Sequence, residues 1–281
     1  AVKLSPMVLR RKLNVLYLLR CWQAVYHSFF SRHLYQEVGR QWQGTGLGYL
    51  FLLLCVTTIP MTIQVAALLD TMKSTYIQHV IERLPDLHIE QGQLQTEVEQ
   101  PFVIQLPDEE APFLVIDTRH SPASAAEFVA PVVLQADRMI IDNQGEVRSY
   151  PFENIEHFQL DKAELYAWSD KLIAIVKPLA YLPLLGGEFI YRALQAVIYA
   201  VGGLVFAAWL KVRLPYGVLL RVTCVALTPG IVLATLLTWF GISFGLMGMV
   251  LFLLSQGYLF FAIQSLAQGQ DRTPPEDILE V

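Results

Sequence analysis

From Val222 to Gln270 the chain carries no Lys, Arg, Asp, Glu or His. A bilayer-crossing helix needs about 20 apolar residues. This run holds two such lengths, parted by the turn-forming stretch Trp239-Phe-Gly-Ile-Ser243. It predicts membrane helices over 217–240 and 242–266, joined by a very short loop. Residues 46–69 are also uncharged and predict an earlier span, kinked at Pro60. Residues 189–210, charged only at Arg192, predict the remaining one. The first span lies too far behind a long basic segment for a cleaved signal peptide and reads as a retained signal-anchor.

Outside these runs the periodicity changes. Residues 9–30 place Val15, Leu18, Leu19, Trp22, Val25, Tyr26 and Phe29 at helical spacing, with Arg10, Arg11 and Lys12 largely elsewhere on the wheel. A basic amphipathic helix of this kind lies at a lipid interface with its cations near anionic headgroups; packing of the same stripe on the protein's own helices is the equal alternative. Residues 70–188 form the sizeable aqueous region. Alternating strands flank turn residues at Gln91-Gly92 and Asp142-Asn-Gln-Gly145, which predicts two hairpins. Phe102-Val-Ile-Gln-Leu106, Phe113-Leu-Val-Ile-Asp117 and Val132-Val-Leu-Gln135 supply further strands, so a small, mostly antiparallel sheet is expected. A helix over 161–176 leads back toward the membrane and ends at Lys177-Pro178. Residues 179–187 are too short and too rich in Pro and Gly to span, and read as re-entrant or interfacial. The polar tail 267–281 reads as disordered.

Composition supports the class: 54% of residues are hydrophobic, 16% are charged and the mean hydropathy is +0.43. The net charge of −5 conceals an asymmetry that sets the topology. Residues 1–45 carry seven Lys or Arg against Glu37 alone, whereas residues 70–188 carry twenty acids against eight bases. Lys211, Arg213 and Arg221 add three cations around the loop before the third span. Positive loops stay in the cytoplasm, so both termini are expected there and the acidic region on the outer face. The expected architecture is an α-helical integral membrane protein with four spans and an inserted extracytoplasmic α+β domain. Cys21, Cys55 and Cys224 fall in or beside apolar segments and imply no disulfide framework in that domain.

Candidate chemistry is sparse. His79, His88, His120 and His157 are scattered without zinc-ligand spacing, and no P-loop or GxGxxG occurs. Asp108-Glu-Glu110 reads as a solvated turn between prolines. No enzyme activity, metal or cofactor is therefore expected. Inside the spans the candidate polar and kink positions are Pro60, Gln64, Gln195, Pro229 and Gln256, accompanied by several threonines. Arg192 and Arg221 read as snorkelling near helix ends. The absence of a charged group in the middle of any span counts against ion-coupled transport. Gly203-x-x-x-Ala207 and Gly241-x-x-x-Gly245 permit close helix approach, within the chain or, as the weaker alternative, between copies in a homo-oligomer.

Residues 28–50, Ser-Phe-Phe-Ser-Arg-His-Leu-Tyr-Gln-Glu-Val-Gly-Arg-Gln-Trp-Gln-Gly-Thr-Gly-Leu-Gly-Tyr-Leu, resemble the entry segment of the YvdJ-like bacterial membrane proteins of the Yip clan. Phe113-Leu-Val-Ile-Asp-Thr118 and Leu219-Leu-Arg-Val-Thr-Cys-Val-Ala-Leu-Thr-Pro229 are similar to that family too. The resemblance implies an inner-membrane protein with an extracytoplasmic insert, sometimes labelled with maltodextrin utilisation, and no assigned catalytic residues. The expected role is non-enzymatic: the outer domain binds a protein partner or small ligand, in an accessory or sensing function of the envelope. A transport or lipid-handling component that uses the helices as a path is the alternative. The acidity of the domain disfavours nucleic acid.

On a background without native cysteines, a cysteine at Ser121 or Gln144 should react with a membrane-impermeant maleimide added outside, and one at Ser5 or Thr273 should not. Labelling of Ser5 from outside would overturn the topology.

Overall fold

The computed structural model describes residues 22–119, 130–143 and 146–270. The chain divides into two compact units, residues 65–179 forming one and the segments on either side forming the other. Among the described residues four helices are long and apolar enough to cross a membrane: Leu47–Arg83, Lys162–Trp209, Tyr216–Trp239 and Met247–Gly269. In finer detail the helices are α1 (Arg32–Arg40), α2 (Leu47–Met72), α3 (Gln78–Arg83), α4 (Lys162–Leu179), α5 (Tyr181–Trp209), α6 (Tyr216–Ala226), α7 (Thr228–Trp239) and α8 (Met247–Gln270). A π-helical turn, Lys73–Ile77, joins α2 to α3.

In the helical unit α6 and α7 are central: 67% of their most apolar eighteen-residue window is buried, against 17% for the Leu47–Arg83 helix. The break between them falls at Leu227, which keeps helical dihedrals, and Pro229 sits in the first turn of α7. Proline is tolerated there because first-turn N–H groups have no partner within the helix. Pro60, by contrast, lies inside α2, where its missing N–H leaves the Val56 carbonyl without its usual donor.

Arg221 does not snorkel. It is 9% exposed on α6, and its guanidinium donates to the carbonyls of Trp42, Gly44 (3.4 Å) and Gly39 (3.3 Å). Those oxygens belong to the end of α1 and the turn into α2, where no helical N–H is available to them. The forked guanidinium satisfies several at once. Gly44 and Gly46 give the turn its shape, with φ of +79° and +82°. A Cβ on Gly46 would stand 3.0 Å from the Arg221 Cα, so the turn lies directly on the α6 backbone.

Ser31 caps α1 by accepting from the Leu34 N–H at 3.3 Å. The buried face of α1, with Leu34, Tyr35 and Val38, packs against α8 and α6. Gly39 makes the approach close, since a Cβ there would collide with Leu266 Cδ2. Tyr35 is fully buried and donates to the Ser28 carbonyl at 2.7 Å; burial pushes its hydroxyl well above the usual tyrosine range, so it stays a donor. Gln36 donates to Ser265 O at 2.9 Å and Arg40 to Gly269 O. The last helix therefore runs through Gln270, past the 266 expected as its end, because α1 supplies partners to its final turns.

Residues 181–187 form regular helix rather than an irregular segment. They begin α5, with Pro183 in the first turn, where a missing N–H costs nothing. Glu188, counted with the outer domain on sequence, is consequently a residue of this helix.

The second unit pairs residues 65–83 with α4 in antiparallel fashion. Asp70 meets Lys177 at 2.5 Å, Lys73 meets Asp170, and Lys162 donates to Glu82 O at 3.3 Å. Exposed pairs of this kind contribute at most about 1 kcal/mol each, so they set register more than stability. The unit has two sheets rather than one: β2-β1-β8 and β3-β4-β5-β6-β7. These strands are β1 (His88–Glu90), β2 (Gln93–Gln95), β3 (Phe102–Gln105), β4 (Pro112–Ile116), β5 (Val132–Leu134), β6 (Arg138–Asn143), β7 (Glu146–Pro151) and β8 (His157–Gln159). Both expected hairpins are present, β1 with β2 and β6 with β7. Gln91 and Gly92 adopt φ of +51° and +76°, as a tight two-residue hairpin turn requires. All pairings are antiparallel except β4 with β5, which is parallel. Leu114, Val115 and Ile116 of β4 are buried in succession, the mark of a strand covered on both faces. The larger core joins Leu87, Ile89, Leu94, Ile104, Ile116 and Phe152, with Val80 and Leu84 of the helical segment packed on it.

Arg221→Met should lower stability toward denaturant in mild detergent by about 3 kcal/mol, because carbonyls are left without donors. Gly46→Ala should cost about 1–2 kcal/mol through its positive φ. Unchanged midpoints would show that the turn is held by other contacts. Residues 65–179 expressed alone should unfold in one cooperative transition followed by circular dichroism; a broad, non-cooperative loss of signal would show that their core depends on the rest of the chain.

Candidate functional site

The π-helical turn inserts an extra residue in the helix between Met72 and Gln78, a distortion that re-aims side chains and recurs at functional sites. Met72, Ile77, Val80 and Ile81 form one wall of a cavity of about 550 Å³. Leu106 and Phe113, on the hairpin of β3 and β4, form the other. The volume falls within the range of small-molecule sites, which are mostly apolar with few polar groups.

The polar groups come from the acidic loop. Glu109 lines the cavity, and Asp108 accepts a hydrogen bond from the Tyr76 hydroxyl at 3.1 Å. Asp108-Glu-Glu110 is an exposed turn, as expected, and its Glu109 stands beside the apolar cavity. Gln105 holds the loop by donating to Glu110 O at 2.9 Å. An apolar body with a neutral or cationic end suits this lining, whereas an anionic end would meet like charge.

The sequence-selected polar positions of the helical unit separate. Pro60 lines a second cavity, of about 170 Å³, together with Thr57, Thr58, Glu188, Arg192 and Thr235. Gln195 adjoins it, accepting from Arg192 Nη1 at 2.9 Å and donating to the Tyr199 hydroxyl at 3.0 Å. Gln64 donates to the Thr238 carbonyl at 2.7 Å. Pro229 is buried at the start of α7. Gln256 is half-buried on α8, facing Gly202 of α5. Arg10, Arg11, Lys12 and His120 lie outside the described residues.

Arg192 does not reach for a surface. Its Nε donates to Glu188 at 2.8 Å, one helical turn away, and its guanidinium lies 5.1 Å from the Tyr191 ring centroid. Glu188 was missed on sequence because it was assigned to the aqueous domain; its i, i+4 spacing from Arg192 was the available signal. Tyr76 and Glu109 had none, since their approach depends on tertiary folding. Among the described residues no three His, Cys, Asp or Glu side chains gather as metal ligands.

The model of a family described as "Protein of unknown function (DUF1189)" matches residues 22–263. The chain belongs to this family. No curated protein and no solved structure matches it. The matched range contains every residue of both cavities, so in this DUF1189 protein they belong to the family region of the chain.

Proposed function

We propose that this chain is a multi-pass protein of the cytoplasmic membrane, with both termini inside, whose unit of residues 65–179 binds a ligand or partner on the outer face and catalyses no reaction. The apolar cavity between Val80 and Phe113 carries this reading. Its lining favours an apolar or amphipathic ligand with a neutral or cationic end. The length and apolarity of four helices support insertion, and the concentration of cations before residue 45 and of acids in 70–188 supports the orientation. Although Arg221 leaves the count of loop cations, Lys211 and Arg213 remain in that loop. Trp22, Tyr26 and Phe30 are each more than half exposed, the behaviour of aromatic residues at a membrane interface. The YvdJ-like resemblance is in keeping with an accessory or sensing role in the envelope.

A second reading, a transport or lipid-handling component, draws support from the Glu188–Arg192 pair. Ionisable residues among apolar helices mark functional pathways more often than structural fittings.

Benzoyl-phenylalanine placed at Leu106 and photolysed in native membranes should capture a discrete adduct resolved by mass spectrometry, and Glu109→Lys should reduce its yield severalfold. The same probe at exposed Val147 on β7 serves as the control. Adducts no more frequent at Leu106 than at Val147 would remove the binding-site reading.

A further inference from the structure

The smaller cavity, in the helical unit, is a separate site with its own chemistry. Thr58 lines it, is 3% exposed, and has a hydroxyl oxygen without a hydrogen-bond partner. A buried hydroxyl left unpaired is costly, and this one belongs to a residue that borders the cavity. Glu188 and Arg192 are the charged residues of the lining. Their mutual bond occupies one carboxylate oxygen and Arg192 Nε, and Gln195 takes Nη1.

The remaining polar atoms divide by type. Thr57 and Thr235 donate their hydroxyl protons to Leu53 O (3.3 Å) and Ile231 O (2.9 Å), four residues back. They therefore offer lone pairs to the cavity, as the second Glu188 oxygen does. Arg192 Nη2 and the hydroxyls of Thr58 and Thr238 are the groups left to donate. A lone anion would meet Glu188 and a lone cation would meet Arg192, so each carries an electrostatic penalty in apolar surroundings. A molecule with both an ammonium and an oxyanion matches both halves: its N–H groups go to Glu188, Thr57 and Thr235, and its oxygens to Arg192 and Thr58. We propose that this cavity binds a small zwitterion bearing a primary ammonium and a phosphate or carboxylate. The same chemistry is offered by a zwitterionic lipid headgroup and by a free solute.

The test uses the full chain purified in a neutral detergent. Dioleoyl phosphatidylethanolamine, phosphatidylcholine and phosphatidylglycerol of the same acyl chains, and soluble phosphoethanolamine, are compared by native mass spectrometry and by the shift in unfolding temperature. Phosphatidylethanolamine should be retained and should raise the unfolding temperature. Phosphatidylcholine, with no N–H to give, and phosphatidylglycerol, with no cation, should do so at least about tenfold less well, as expected for loss of charge-assisted hydrogen bonds. Retention of the lipid alone identifies the headgroup as the source; an equal shift with phosphoethanolamine identifies a free solute.

The double variant Glu188→Gln/Arg192→Gln, which leaves no unpaired charge, should lose the preference. Thr58→Val keeps shape and charge and separates a ligand contact from a structural one. Without ligand it should unfold at a higher temperature, because an unpaired buried hydroxyl is gone, yet bind phosphatidylethanolamine several-fold more weakly. Equal binding of all lipids and no shift with phosphoethanolamine, or full affinity in Thr58→Val, would overturn the proposal. Failure of this test leaves the outer cavity untouched, since that site is read by crosslinking at Leu106.

Discussion

The helical unit depends on one cation among apolar side chains. Arg221 donates to carbonyls at the end of α1 and in the turn that follows it, oxygens to which no helical N–H is available. With the turn fixed on the α6 backbone, α2 leaves it in a set direction. Neighbouring contacts then follow: Cys224 Sγ approaches Thr45 O at 3.6 Å, and the Tyr49 hydroxyl meets Thr228 Oγ1 at 2.8 Å. A buried charge is expensive unless its donors are used. The two terminal guanidinium nitrogens find backbone carbonyls and so offset part of that cost, while Nε is buried without a partner.

The two cavities reflect different uses of polarity. In the unit of residues 65–179, polar groups stay at the rim and the interior is apolar, so the energy available to a ligand is mainly burial of its own apolar surface. In the helical unit the polar groups are inside, and a ligand would be recognised by charge and hydrogen bonds in surroundings that strengthen both. The helix from Leu47 to Arg83 carries residues of both, Thr58 in its first half and Val80 near its end. The irregularities in that helix, Pro60 and the π-helical turn, fall beside one cavity each. Both disturb the regular i to i−4 ladder, which is where a helix can present backbone or side-chain groups to something other than itself.

Much of this was legible in the pattern of residues alone. Uncharged runs of spanning length marked the long apolar helices, because hydropathy summed over about 20 residues is a strong signal. Gln91-Gly92 and 142–145 marked the hairpins, because tight turns need residues that tolerate positive φ. Tertiary structure decided the rest. Whether Arg221 lies at a surface or in a core turns on which carbonyls approach it from residues 39–44, far away in sequence. The parallel pairing of β4 with β5 and the late addition of β8 to β1 are long-range choices that local alternation cannot encode. Glu188 looked like the end of an aqueous domain because Pro183, Gly186 and Gly187 obscure a helix start, in which the proline is tolerated because it sits in the first turn. The cavities themselves exist only where separate segments meet: composition and periodicity determined which residues must leave water, and packing alone determined which polar groups went with them.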